Sequence, residues 1–290
     1  NNPEYGRIAN QLFERALAQS SDIVPFDIYF RLVQNAFSLG QVPQATLEKA
    51  YLQDPDNPVY LFLLGIIDTR QDTLQARGER RIQQALDQAP DKNLYRFNGA
   101  VAYYNLARFY THSGHDRRAA NLLQKSLDLW PHHLPSLTIL QNILEAQNRI
   151  SEIILAYEKA VRFDPHNSRL HVILGQLYHS RDDLPKAIKA YQNALLHERE
   201  NPLVHTNLAT ILYKTGDPAS AQKHYQKALQ LQPNNVIAYQ NLGIILLEQG
   251  KLEEARRLLI GALVVVPNHP GLKNLLTHIQ NRRDPPSPSG

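Results

Sequence analysis

Hydrophobic and polar positions repeat along the chain with a fixed period between Ala100 and Pro267. Prolines mark this period, because Pro131 and Pro165 are as far apart as Pro233 and Pro267, and the distance from Pro165 to Pro233 is twice as long. A period of about 34 residues is typical of arrays in which one supersecondary unit recurs. We therefore divide the stretch into five consecutive rows of equal length, which begin at positions 100, 134, 168, 202 and 236.

Residues of the same type share columns when the five rows are aligned. Leucine fills one column, at Leu106, Leu140, Leu174, Leu208 and Leu242. The next column is mostly small and holds Ala107, Gln141, Gly175, Ala209 and Gly243. A later column is large and holds Leu123, Tyr157, Tyr191, Tyr225 and Leu259. The apolar columns in each half of a row have the spacing of one α-helical face. We expect the small residues to let helices approach closely, with the large residues filling the space opposite.

A break in the middle of each row separates two helical segments. It holds Gly114, Asn148, Asp182, Gly216 and Gly250. Glycine and small polar residues are common where helices end, and the proline at the end of a row cannot continue a helix. Each row is therefore predicted to form two helices and a turn. One such pair cannot bury its apolar face alone, so the pairs must stack.

The rest of the chain is predicted to extend this array at both ends. Between Pro90 and Pro131 the chain is seven residues longer than one period, close to two helical turns. This predicts a lengthened first helix from about 93 to 111 or 112. The predicted organisation is a single array over 1–283: an N-terminal helix in 1–22, degenerate repeats 24–57 and 58–91, the lengthened repeat 92–133, regular repeats 134–167, 168–201, 202–235 and 236–269, and a capping helix 270–283. Residues 284–290, rich in proline and serine, are predicted to be disordered.

The aligned rows resemble the tetratricopeptide repeat family. The best match is made by Asn207, Leu208, Ala209, Leu212, Gly216, Ala221, Tyr225, Ala228 and Pro233. Five rows match strongly, with six to eight agreeing positions in each row. The resemblance implies an all-α fold, a right-handed superhelical solenoid of antiparallel helix pairs whose first helices line a concave groove.

Three asparagines occupy the position just before the aligned leucine, at Asn105, Asn207 and Asn241. The resemblance implies that they point into the groove. An amide offers both a donor and an acceptor, so a ladder of asparagines can hold the backbone of an extended peptide. Ile139 and Ile173 fill the same position in the middle rows, which interrupts the ladder. The alternative is that each asparagine bonds only the neighbouring helix.

Other side chains are predicted to line the same groove and to contact a bound peptide. They are Tyr104, Arg108, Asn142, Gln176, Thr206, Tyr213 and Gln240. Such a mixture of polar and aromatic groups suits either a peptide or a glycan.

Composition and motifs give no indication of catalysis. The chain has no cysteine, which excludes disulfides, thiolate metal sites and cysteine nucleophiles. It contains no P-loop, dinucleotide-binding glycine motif, nucleophile elbow or zinc-protease motif. The histidines are dispersed. We therefore expect no enzymatic activity, no cofactor and no metal site.

Charge and hydropathy narrow the set of partners. The net charge of +4 is mild, and basic and acidic residues are interspersed, so nucleic-acid binding is not expected. The densest basic run, Arg77, Arg80 and Arg81, is expected to form a solvated face, and an anion site is the alternative. No apolar run approaches the ~20 residues of a membrane span. Methionine is absent, so we expect a processed product or a piece of a longer protein.

The leading hypothesis is a non-catalytic scaffold that binds a peptide or protein segment in its concave groove. One alternative is an adaptor or spacer in a bacterial envelope or polysaccharide-export assembly. Another is an accessory substrate-binding domain of a larger enzyme such as a glycosyltransferase. Self-association through the ends of the array is also open, and both the cytoplasm and the periplasm remain possible compartments.

Overall fold

A computed structural model describes residues 44–283, apart from 56, 70, 72 and 89–91, together with residues 11 and 15. These described residues form fourteen α-helices and no strand. The predicted all-α fold of paired helices is therefore confirmed. The helix predicted within 1–22 (except at 11 and 15), most of the first degenerate repeat and the tail 284–290 lie outside the described residues.

The chain divides by its contacts into two compact units, residues 1–149 and 150–290. The described helices of unit 1 are α1 (Gln44–Gln53), α2 (Pro58–Thr69), α3 (Gln75–Gln88), α4 (Lys92–His112), α5 (Asp116–Leu129) and α6 (Leu134–Ala146). Helix α4 spans 21 residues, whereas α6 spans 13. The additional length therefore lies in the first helix of its pair.

Unit 2 contains three complete helix pairs, preceded by one helix and followed by another. Its helices are α7 (Ile150–Phe163), α8 (Ser168–Ser180), α9 (Leu184–His197), α10 (Pro202–Lys214), α11 (Pro218–Leu231), α12 (Val236–Glu248), α13 (Leu252–Val265) and α14 (Pro270–Arg283). The pairs are α8 with α9, α10 with α11 and α12 with α13, and each pair contacts the next along the chain. Helix α14 packs against the last pair.

The break column provides the left-handed residue that ends each first helix. The backbone φ is positive at Gly114, Asn148, Asp182, Gly216 and Gly250. At Gly216, the N–H of the next residue donates to the carbonyl of Leu212 at 2.8 Å, and the Gly216 N–H donates to the carbonyl of Tyr213 at 3.1 Å. These two bonds form the Schellman motif, which satisfies the last carbonyls of a helix.

Asparagine and aspartate side chains then begin the next helix. The side chains of Asp183 and Asp217 accept a hydrogen bond from a backbone N–H in the first turn of α9 and α11. Asn167, Asn201 and Asn235 do the same for α8, α10 and α12. These caps satisfy N–H groups that have no partner within the helix.

Small residues on the first helices pack against large residues on the second helices. A Cβ atom added to Gly175 would lie 2.6 Å from the ring of Tyr191, and one added to Gly65 would lie 2.8 Å from Ile82. Tyr191 and Tyr225 are completely buried. The close approach of the two helices therefore depends on the absence of a side chain at the glycine. The large side chain of the partner helix fills the remaining space.

The basic run Arg77, Arg80 and Arg81 differs from its expected role as a solvated face. The Asp68 carboxylate is fully buried and binds two residues of that run. Arg77 donates through Nε and Nη2, both at 2.8 Å, and Arg81 donates through Nη1 at 2.7 Å. The two arginines bind Asp68 because a buried carboxylate needs charged partners. The sequence pattern did not reveal that Asp68 lies inside the pair formed by α2 and α3.

We expect Asp68→Asn to destabilise unit 1, because it removes the charge that two arginines approach. Breaking a buried ion pair costs about 3 kcal/mol. Urea unfolding followed by circular dichroism measures this loss. Lys214→Ala is the control, since it removes an exposed pair with Asp182 and should leave the midpoint nearly unchanged. Equal effects of the two variants would contradict the structural role of Asp68.

Gly216→Ala is expected to cost about 1 kcal/mol, because an L side chain is strained at a φ of 85°. Lack of space is not the cause, since no atom outside the two flanking residues lies within 4 Å of the added Cβ. The reverse change, Asn148→Gly at a φ of 56°, should stabilise by about 0.5 kcal/mol. Thermal unfolding of both variants checks the opposite signs. Shifts in the same direction would show that backbone conformation is not the cause.

Candidate functional site

The first helices of unit 2 carry equivalent side chains that recur once in every repeat. On each helix, a residue shares one face with the residues that follow it by four and by seven positions. We call these nine residues the first-helix face. They are Arg169, Ile173 and Gln176 on α8, Leu203, Asn207 and Thr210 on α10, and Ile237, Asn241 and Ile244 on α12.

Two of the predicted asparagines bond a tyrosine of the preceding repeat. Nδ2 of Asn207 donates to the Tyr191 hydroxyl at 3.3 Å, and Nδ2 of Asn241 donates to the Tyr225 hydroxyl at 2.8 Å. The Tyr225 hydroxyl also forms a 2.9 Å hydrogen bond with the Thr210 hydroxyl. The contact to a neighbouring helix, expected as the alternative role, is therefore present.

These bonds leave part of each amide available. Both asparagines are only half-buried. Among the described residues, neither Oδ1 accepts a hydrogen bond. The tyrosine partners keep their protons at neutral pH, because burial raises the pKa of Tyr191 to about 12 and also raises the pKa of Tyr225. Each amide is thus held in one orientation while retaining a free acceptor and one further N–H.

The other predicted residues of unit 2 differ in accessibility. Thr206 is buried, donates to the carbonyl of Pro202 at 2.8 Å and accepts from Nδ2 of Asn235 at 2.8 Å. That placement does not suit a ligand contact. Gln176 is exposed on α8. Gln240 is half-buried, and its Nε2 lies 2.2 Å from the position that a Cβ of Gly271 would occupy.

Tyr213 connects two first helices. Its hydroxyl donates to Oε1 of Glu248 at 2.7 Å. This hydrogen bond is the main reason that the pKa of Tyr213 rises to about 12. The half-buried ring lies on α10 while its partner lies at the end of α12, so the contact fixes the ring at the border of the first-helix face.

Four predicted residues lie in unit 1. Tyr104 and Asn105 are half-buried on α4, Arg108 is exposed on the same helix, and Asn142 is exposed on α6. The Tyr104 ring meets His133 edge-on, with centroids 5.3 Å apart. The Arg108 guanidinium lies 5.8 Å from the centroid of the Tyr104 ring. The arrangement presents a cation beside an aromatic ring.

Sequence reasoning missed two exposed apolar residues of the first-helix face. Leu203 is 50% exposed and Ile237 is 57% exposed. Each lies four residues before a predicted asparagine, on the same side of its helix. Their separation by one repeat period was visible in the sequence. The pattern alone, however, does not distinguish an exposed apolar residue at this position from a core residue.

The described residues contain no group of three or more histidine, cysteine, aspartate or glutamate side chains that could hold a metal ion. None of the helices in the described part of the chain is long and apolar enough to cross a membrane.

Comparisons with solved structures identify proteins of the same fold. The protein YrrB, described as a TPR protein with an unusual peptide-binding site, is 20% identical over 69% of this chain and 97% of its own, with a TM-score of 0.52. A structure of MamA is 22% identical over 57% of this chain and 90% of its own, with a TM-score of 0.50. Comparison with curated proteins gives no significant match.

Two family profiles match the sequence itself. Residues 102–133 match a tetratricopeptide repeat, and residues 141–269 match the TPR domain of cytochrome c-type biogenesis protein H. The matched ranges include α5, all of α7 to α13 and the five break residues with positive φ. The chain belongs to the tetratricopeptide repeat family.

Proposed function

We propose that this chain is a non-catalytic scaffold that binds an extended segment of a partner protein on the first-helix face of unit 2. The observation that carries the proposal is the pairing of fixed amides with exposed apolar side chains. Asn207 and Asn241 are oriented by tyrosine hydroxyls, and Leu203 and Ile237 lie one helical turn away.

The two kinds of side chain would contribute different parts of the binding free energy. An amide held in place loses little entropy when it bonds a peptide backbone, so its hydrogen bonds add more to affinity. Leu203 and Ile237 would bury apolar side chains of the partner. Backbone contacts do not depend on sequence, so the apolar contacts would select the partner.

The remaining predicted residues extend this proposal. Gln176, Tyr213 and Gln240 would contact the same segment at its edges in unit 2. In unit 1, Tyr104, Asn105, Arg108 and Asn142 would bind a polypeptide by similar contacts. Thr206 is not included, because its hydroxyl already bonds the next repeat.

The comparisons support a polypeptide ligand. YrrB shares the fold and is described as having a peptide-binding site. The profile that matches 141–269 comes from a protein named for cytochrome c-type biogenesis. No observation favours the alternatives of an envelope spacer or an accessory domain of a glycosyltransferase.

Site-specific photocrosslinking in the native host tests the proposal. We expect a p-benzoylphenylalanine residue placed at Ile237 to capture a polypeptide that mass spectrometry can identify. The same residue placed at Lys189, exposed on the second helix α9, is the matched control and should not capture it. Capture of nothing from Ile237, or of the same set from both positions, would refute the proposed face.

The captured partner then allows a quantitative test of the amides. Asn207→Ala combined with Asn241→Ala should weaken binding at least tenfold, because each amide loses hydrogen bonds worth about 1 kcal/mol. Tyr191→Phe combined with Tyr225→Phe is the matched control, since it removes the same two contacts between repeats but keeps both amides. We expect it to weaken binding less than threefold, and isothermal titration calorimetry measures both. Equal losses would assign the asparagines a structural role only.

A further inference from the structure

A groove on the opposite side of the last two repeats separates the second helices α11 and α13. It contains a cavity of about 720 Å³ that is open to solvent. Its floor is apolar and includes Tyr239, Leu242 and Leu246 of α12. Its walls are largely polar, with Gln222, Gln226 and Gln230 on α11 and Glu254 and Arg257 on α13. None of the floor or wall residues belongs to the first-helix face.

The three glutamines form a stripe along one side of α11. They are four residues apart, so their attachment points are separated by about 6 Å along the helix axis. In an extended peptide, backbone groups that face the same edge recur every two residues, at about 6.6 Å. Three successive glutamine amides therefore match three successive peptide units on one edge of an extended segment.

The polar groups of this groove have no partners among the residues that the structure describes. Within the described part of the chain, the side chains of Gln222, Gln226, Gln230, Glu254 and Arg257 make no hydrogen bond or ion pair. The corresponding groove between α3 and α5 in unit 1 is different. There Lys125 of α5 approaches Glu79 of α3 at 2.5 Å, and Tyr103 donates to Gln83 at 3.1 Å. That groove is bridged by its own side chains, whereas the one between α11 and α13 remains open.

Charge at one end of the groove indicates the character of its ligand. A second cavity of 620 Å³ shares Gln222 and Gln226 and is also lined by Lys223 and Lys251. Together with Arg257, these lysines give the groove three cations against one carboxylate, that of Glu254. An acidic ligand is therefore favoured over a basic one.

We propose that this groove is a second polypeptide-binding site, which takes an extended segment of a partner with alternating apolar and acidic side chains. The glutamine amides bond one edge of the segment's backbone. Its apolar side chains contact the floor formed by α12, and its acidic side chains lie near Lys223 and Lys251. The site is separate from the first-helix face and does not depend on the function proposed for that face.

A defined probe tests this site on the full chain. The probe is a fluorescein-labelled decapeptide of alternating leucine and aspartate, and fluorescence anisotropy measures its binding. We expect binding of this peptide and at least tenfold weaker binding of the leucine–lysine decapeptide. Two further probes carry N-methyl groups on either the leucine or the aspartate amides. Only one of them should lose binding, because alternate backbone N–H groups point to opposite edges of an extended chain.

Protein variants locate the probe. Gln226→Ala combined with Gln230→Ala should weaken binding at least tenfold, and Lys251→Glu about fivefold. All three residues are exposed, so circular dichroism should show an unchanged fold. Asn207→Ala combined with Asn241→Ala is the control and should bind the probe as the unmodified chain does. Failure of the leucine–aspartate peptide to bind, full binding by the glutamine variant, or loss only in the asparagine variant would each overturn the proposal.

Discussion

The contact between a small residue on one helix and a large residue on its partner is the constraint on which the remaining structure depends. It recurs within the repeats as Gly65 with Ile82, Gly175 with Tyr191, and Gly243 with Leu259. Where no side chain intervenes, the two helices approach until the large side chain is buried. Dispersion contacts and the removal of apolar surface from water then stabilise the pair. The separation of the two helices in each of these pairs follows from this contact.

Both proposed binding surfaces result from stacking such pairs. The tyrosines that fill the cores at 191 and 225 also place a hydroxyl at the boundary with the next repeat, where it meets the amides of Asn207 and Asn241. Core packing thereby orients polar groups on the first-helix face. On the other side, the second helices α11 and α13 are held apart by α12, which contacts both. The glutamine stripe borders the groove that remains between them.

The sequence predicted the helix pairs well because they depend on local patterns. The break column gave the ends of the first helices, and the left-handed backbone at Asn148 and Asp182 follows from the polar residues found there. Contacts between repeats were harder to predict. Thr206 was predicted to line the groove, but the stacking of the next repeat places its hydroxyl against Asn235. To predict the Asn–Tyr bonds, one would have to know that the second helix of one repeat contacts the first helix of the next at these positions. The spacing of Gln222, Gln226 and Gln230 was visible in the sequence, but the same spacing is found on any exposed helix face. Only the structure shows that these residues border an open groove.

A double-mutant cycle on Gly175 and Tyr191 tests the central contact most directly. Gly175→Leu should destabilise unit 2 by more than about 2 kcal/mol, since a Cβ alone would lie 2.6 Å from the ring. Tyr191→Ala should cost about 4 kcal/mol through the cavity it creates. We expect the double variant to be more stable than the sum of the two losses implies, by at least about 1 kcal/mol, because the leucine occupies the vacated space. Strictly additive losses in urea unfolding would contradict the claim that this contact sets the spacing of the helices.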